Sequence, residues 1–374
     1  MKNLLLPILL SLVLSACTEQ KASDKAIKGD ASAGKALAER VCKGCHGLDG
    51  GGAAPGIPHL AAQREAYLLA SIKEYKDGTR THAALKDMTA NMSDAEVRSV
   101  VAYYSSLAPV ARAAAKDVQS SSPYQEGKTL ATSCSKCHGE DGNSKVPGTP
   151  TLAGQQPQYL VTAIEEYHQG DRKAATMGSM ARSSSKMDLE KLALFYAAQT
   201  PAQRTPPSVG DPMLGEPATA MCGGCHGARG VSTDGATPSL AGQDAKYLVN
   251  AMNAYKKARK NWGMQRYIAG LTDKDIENIA AYYSVQKAAP ADVVPSTVKE
   301  LVDKCNRCHD AENNPAMVAP KMNGQDRDYL VMSLRAYRDG KRHSTMMHNM
   351  SFAYSNAMIE SIATWYSTQP PDKR

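Results

Sequence analysis

Four times along its 374 residues the chain repeats one pentapeptide, Cys-x-x-Cys-His. The copies are Cys42-Lys43-Gly44-Cys45-His46, Cys134-Ser135-Lys136-Cys137-His138, Cys222-Gly223-Gly224-Cys225-His226 and Cys305-Asn306-Arg307-Cys308-His309. Their first cysteines lie 92, 88 and 83 residues apart. Self-similarity of this kind marks a chain built from copies of one unit. Units of about 85 residues bury only thin cores by themselves, and the whole chain has just two Phe and two Trp to fill them.

The repeats share more than cysteines. A short helical stretch runs into each motif, as in 33–41. A Pro-x-Leu/Met turn follows at Pro58, Pro150, Pro238 and Pro320, then a glutamine at Gln63, Gln155, Gln243 and Gln325. Next comes a helix with fixed apolar spacing: Tyr67, Leu68, Ile72 and Tyr75 recur as Tyr159, Leu160, Ile164 and Tyr167, as Tyr247, Leu248, Met252 and Tyr255, and as Tyr329, Leu330, Leu334 and Tyr337. That spacing puts one apolar stripe on a helix face. A last helix closes each unit around Tyr103, Phe195, Tyr282 and Trp365, and Ser93 with Glu96 predicts a capping box at its start in unit one. No alternating strand pattern occurs, so the chain reads as all-α.

Stretches rich in Pro, Ala and Ser divide it. The expected division is a leader at 1–16, a tether at 17–29, and domains at 30–108, 124–200, 213–287 and 296–374. Linkers are expected at 109–123, 201–212 and 288–295.

Cys-x-x-Cys-His is the attachment signature of c-type haem. Cys42, Cys45, Cys134, Cys137, Cys222, Cys225, Cys305 and Cys308 would carry four haems through thioethers. His46, His138, His226 and His309 would each supply an axial nitrogen to iron. Zinc is the first alternative, because two Cys-x-x-Cys pairs can form a four-thiolate site. Against it, the pairs fall in separate repeats and each is followed by His. No βαβ pattern surrounds any pair, which argues against a thioredoxin-like dithiol.

Eight of nine cysteines are thereby used, leaving none for a disulfide framework. The ninth, Cys17, ends Leu14-Ser15-Ala16-Cys17 behind Lys2 and an apolar run too short to span a bilayer. This resembles a bacterial lipoprotein signal, which implies lipidation at Cys17 and a lipid-anchored periplasmic location; an ordinary secretory signal is the alternative. Thr18 after the lipidated Cys leans toward the outer membrane, although the choice of membrane stays open. The formal charge of +7 is largely cancelled by eight haem propionates, so charge gives no reason to expect a nucleic-acid partner.

The succession of helix, haem motif, Pro-x-Leu-Ala-Gly-Gln, Tyr-Leu helix, Met loop and Ala-x-Tyr-Tyr helix resembles class I cytochrome c, closest to the di-haem c-four type. In Thr151-Leu152-Ala153-Gly154-Gln155 and Ser239-Leu240-Ala241-Gly242-Gln243 the likeness is nearly literal. The resemblance spans residues 30–370 and implies four tandem cytochrome c-like domains that carry electrons and catalyse no bond chemistry. It also implies pairing into di-haem modules, with the linker between units two and three joining them.

The family's sixth iron ligand corresponds to the residue eighteen before the aromatic of the last helix. That position holds Met177, Met264 and Met347 in units two to four, and Leu85 in unit one. Met opposite His raises the potential relative to bis-His ligation. Unit three has no histidine after His226, and Met252 is in core register, which singles out Met264. Met180, Met346 and Met350 are rivals in their units, with packing at the haem edge as their other reading. In unit one, Met88 is the expected ligand, with His82 or an open iron as alternatives. His59, His168, His343 and His348 read as surface residues. Arg80, Arg172, Lys260 and Arg342 either hold haem propionates or cap a solvated helix end. Pro55 and Pro147 correspond to the family's imidazole-orienting carbonyl, which units three and four lack.

The expected function is one-electron transfer between a membrane quinol-oxidising complex or other donor and a terminal oxidase or reductase. The alternatives are a haem enzyme or enzyme subunit, such as a peroxidase, a thiosulfate dehydrogenase or a small-ligand sensor using an unusual unit one, and a structural lipoprotein with inert haem.

Overall fold

The computed structural model describes residues 28–110, 121–293, 296–310 and 318–372. Cys17, the expected leader and most of the tether lie outside the described residues. Among those described there is no strand. One isolated antiparallel bridge joins Arg80 to Arg342.

Each unit repeats the same helical order. In unit one it is Ala31–Val41, the one-turn motif helix Lys43–His46, Glu65–Asp77, Ala83–Ala90 and Asp94–Ser106. Local chemistry sets the limits. Asp30 caps the first helix by accepting from the Ser32 and Ala33 amides. Gly78, at φ +81°, ends the middle one in the left-handed region. The Ser93–Glu96 capping box starts the last, as the sequence predicts. Ser185 with Asp188, and Thr272 with Asp275, do the same in units two and three. Unit four differs by running its first helix, Val298–His309, straight through the motif.

Within units one to three, the first and last helices cross on a glycine. A Cβ added to Gly34, Gly127 or Gly215 would lie within 1.9, 2.1 or 2.1 Å of the opposing backbone carbonyl oxygen of Ser99, Lys191 or Asn278. Even alanine would push these helices apart. In units one and four the tyrosine after the last-helix aromatic then ties that helix to the motif: Tyr104 donates to Gly47 O at 3.0 Å and Tyr366 to Asn306 Oδ1 at 2.6 Å.

The pairing of units corrects the sequential expectation. Unit two packs on unit three, and unit one packs on unit four; among the described residues no hydrogen bond joins unit one to unit two. Each interface is built from the repeated glutamines. Gln155 donates to Ser239 O at 2.9 Å and accepts from Ser239 N at 2.7 Å, while Gln243 does the same to Thr151 at 2.9 and 2.7 Å. In the other pair, Gln63 treats Lys321 alike at 3.0 and 2.9 Å, and Gln325 treats His59 at 3.0 and 2.7 Å. A side-chain amide here mimics a strand partner for buried backbone in the facing unit. Asp244 and Asp326 add matching bonds, accepting from Gly148 N and Gly56 N at 2.8 Å each.

A third seam joins the pairs. Tyr124 and Leu194 of unit two share a core with Val298, Ile359 and Ala363 of unit four. Glu190 accepts from Asn356 Nδ2 at 2.9 Å and from Ala357 N at 3.0 Å, capping the last helix of unit four. The contact order of the units is therefore one, four, two, three.

Candidate haem sites and the interfaces beside them

In units one to three the motif folds as one short helical turn, and in unit four it is the last turn of Val298–His309. That turn half-buries the first cysteine; the second is exposed in units one to three and half-buried in unit four. Burial pushes the Cys42 and Cys305 thiols up to about 11, with the second cysteine of the motif adding to the rise. Such surroundings suit a neutral thioether sulfur. The eight motif cysteines form no disulfide.

The histidines are held identically. Nδ1 of His46, His138, His226 and His309 lies 3.1, 2.9, 2.8 and 3.0 Å from the carbonyl oxygen of Pro58, Pro150, Pro238 and Pro320. A carbonyl can only accept, so Nδ1 carries the proton and Nε2 keeps its lone pair for a metal. Burial lowers all four imidazoles' pKa, partly opposed by the proline carbonyl. They are thus uncharged at neutral pH. This corrects the assignment of Pro55 and Pro147. The orienting proline is the one in the repeated turn, and all four units have it.

The residues eighteen before the last-helix aromatic also share one local geometry. Leu85, Met177, Met264 and Met347 are each the third residue of a short helix. In units one, three and four their amides are capped by His82, Asn261 and Ser344. Unit one therefore keeps the loop geometry and departs only in the side chain. Met88 is one turn further on and 40 % exposed. His82 spends Nδ1 on the Leu85 amide. Met252 packs in the core, as expected.

The repeated tyrosines are not simply core. Tyr67 and Tyr329 meet across the outer pair, hydroxyl to hydroxyl, at 3.3 Å. Arg80 donates to Tyr329 and Arg342 to Tyr67, each at 3.0 Å, and each guanidinium also lies over the second tyrosine of its own middle helix. In the inner pair Arg172 reaches Tyr159 at 3.3 Å, and its counterpart is Arg259 over Tyr255. Lys260 is a correction: its side chain is 88 % exposed, because the turn after the middle helix of unit three is one residue shorter, so that Arg259 N bonds Ala254 O where Arg80 N bonds Glu74 O. The solvated-end reading fails for Arg80, Arg172 and Arg342, which are all buried. Nε of Arg259 and of Arg342 is buried without a hydrogen-bond partner, a donor left for an anionic group such as a carboxylate.

His59 is buried in the outer interface, not on the surface. His348 is half-buried, with Nδ1 2.8 Å from Tyr337 O. His168 and His343 are exposed. The proline at the histidine was legible as a repeat, twelve residues on in units one to three and eleven in unit four, but read only as a turn. The tyrosines had the same fourfold signal, hidden inside an apolar stripe.

Profiles of known families match three of the four units. Residues 31–108 and 124–193 match "Cytochrome c", and residues 218–282 match "Cytochrome C oxidase, cbb3-type, subunit III". The chain belongs to the class I c-type cytochromes and has cytochrome c4 among its relatives. It is 32 % identical to cytochrome c4 of Azotobacter vinelandii over 45 % of this chain and 88 % of that protein. It is 31 % identical to cytochrome c4 of Pseudomonas aeruginosa over 52 % of this chain and 98 % of that protein. The thiosulfate dehydrogenase electron acceptor of Thiomonas intermedia is 30 % identical over 42 % of this chain and 78 % of its own length. These relatives match about half of this chain.

Proposed function

We propose that this protein is a tetrahaem electron carrier whose domains, 30–108, 124–200, 213–287 and 296–374, each bind one haem c covalently. The observation that carries the reading is the fourfold histidine geometry: one imidazole per cysteine pair, its Nδ1 fixed on a proline carbonyl and its Nε2 free. When bound, haem supplies a one-electron iron couple. The chain supplies two thioether positions per unit, the fixed imidazole, and a methionine at Met177, Met264 or Met347. In unit one Met88 takes that place. Buried guanidiniums at the interfaces offer donors to the propionates.

The relatives' names support electron exchange with other redox proteins; the partners of this reading are a quinol-oxidising complex or other donor, and a terminal oxidase or reductase as acceptor. Lipidation at Cys17 would hold the carrier at the periplasmic face of a membrane. No described helix is long and apolar enough to cross one.

Leu85 favours a second reading, in which unit one binds a small ligand or substrate at an open iron. Mass spectrometry of the exported protein should show four added tetrapyrroles; free thiols or zinc would defeat the proposal. Near-infrared magnetic circular dichroism should show four His–Met irons. Carbon monoxide binding at one reduced iron, at wild-type Met88, would transfer support to the second reading.

A further inference from the structure

The two interfaces share their glutamine docking but differ in what faces their buried guanidiniums. In the inner pair the Glu166 carboxylate bridges the units. It takes the Arg172 Nε–H of its own unit and accepts from Arg259 Nη2 of the facing unit at 3.3 Å. All three groups are at least two-thirds buried, at side-chain exposures of 29, 6 and 11 %. In the outer pair, position and partner come apart. Glu74 also precedes the second tyrosine of its helix, but it makes no ion pair among the described residues, and the matching residue of unit four is Ala336. Arg80 and Arg342 turn instead to two phenols. Nearby surface charges do not remove the contrast, since Lys260 and Asp171 offset each other at 4.0 Å, as do Lys186 and Glu165 at 3.6 Å.

A buried charge acts over long distances where the dielectric is low. A negative one stabilises the oxidised, more positive state of a nearby redox centre and so lowers its potential. Protein charge and burial are among the levers that set haem potentials. We propose that Glu166 is a potential-setting positioning residue, which by neutralising the Arg172–Arg259 guanidinium pair keeps the redox centres of units two and three below those of units one and four. The outer pair, whose two buried guanidiniums engage phenols and no carboxylate among the described residues, is then the thermodynamic sink, and unit four presents it to unit two across the Glu190 seam. This inference rests on the four-haem reading above.

The test is spectroelectrochemical titration of the full, haem-loaded chain at pH 6. Wild type should show four components in a lower and an upper group. Glu166→Gln should move the lower group upward and narrow the gap, Glu166→Asp should restore most of it, and Glu74→Gln should move nothing. Ala336→Glu, which places a carboxylate at the corresponding point of unit four, should move the upper group downward, and it decides the matter if Glu166→Gln does not accumulate. Four components that stay in place in Glu166→Gln and Ala336→Glu, even with a lowered melting temperature, would make Glu166 merely structural and overturn the inference. A protein without haem-linked components would remove the carrier reading itself, and this inference with it.

Discussion

The inner and outer pairs use the same docking chemistry with different tethers. Units two and three are neighbours in sequence, and the stretch between them works as a strap. Arg204 donates to Ser144 O and Thr151 Oγ1 of unit two at 2.8 Å each, and to Gly242 O of unit three at 3.0 Å. It also pairs with Asp244 at 3.4 Å. Units one and four stand at opposite ends of the chain, and no such strap joins them among the described residues. Residues 109–110 and 371–372 instead rim a water-sized cavity of ≈ 30 Å³ beside His59, Gln63 and Gln325. Loop-closure entropy rises by about 0.6 kcal/mol per doubling of length, so joining the chain ends is the costlier closure. The seam between units four and two offsets part of it by fixing unit four beforehand. A repeated interface can thus be locally identical and globally unequal, because the chain between its halves sets the cost of forming it.

Cutting the chain tests that inequality most severely. A haem-loaded fragment of residues 121–293 should be a compact two-unit body by small-angle scattering, whereas 28–200 should behave as two beads on a string. A compact 28–200 fragment would mean that the pairing is interchangeable. Point changes should follow the same division. Gln325→Ala strands the buried His59 amide and carbonyl, each worth about 1–3 kcal/mol when unsatisfied, and should let unit one swing free in hydrogen exchange. Gln243→Ala strands the Thr151 groups equally, yet its units should stay associated under the strap. Arg204→Ala, with an expected cost of about 1–3 kcal/mol, should loosen the inner pair alone, read as faster exchange of the Thr151 and Gly242 regions.

The smallest effect is one of pH. Burial raises the Tyr329 phenol, but Arg80 and Arg342 outweigh it and bring it down to about 7. In the inner pair burial holds Tyr247 above the ordinary range, with Tyr159 adding to the rise and Arg172 only opposing it. A folded-state value below the unfolded one near 10 gives stability that is complete above pH 10 and lost as pH falls through 7. The outer interface should therefore tighten between pH 7 and 10 while the inner does not. Tyr329→Phe should flatten that profile, measured as outer-pair hydrogen exchange across the range. Over the same range the phenolate would supply the outer pair with the anion that Glu166 gives the inner one, so the gap in potential should narrow.

Much of each site was legible beforehand because its chemistry is local. Cysteines three apart on a helical turn, with the histidine next to them, need no distant partner to be recognised. The Ser93–Glu96 box and the helical period of Tyr67, Leu68 and Ile72 are local as well. The Arg259–Lys260 exchange was missed because a turn one residue shorter after the helix decides which cation turns inward. Gln63 and its repeats stood out without a role, since their partners belong to another unit. Tyr67 was read as core because an interface and a core bury a side chain equally.

By itself the sequence determined the repeating unit, its helical make-up and its covalent attachment chemistry, since all of these act within a few turns of one chain segment. Which units face each other was decided only in three dimensions. The four docking strips, Pro-x-Leu/Met with the following glutamine, are close to interchangeable, and linkers of about a dozen residues reach roughly 40 Å when extended. The choice fell to surfaces that are not repeated: the Tyr124–Leu194 seam against Ile359, the Glu190 cap, and Arg204 across the inner pair. Their partners are far apart in sequence, so no local pattern announces them.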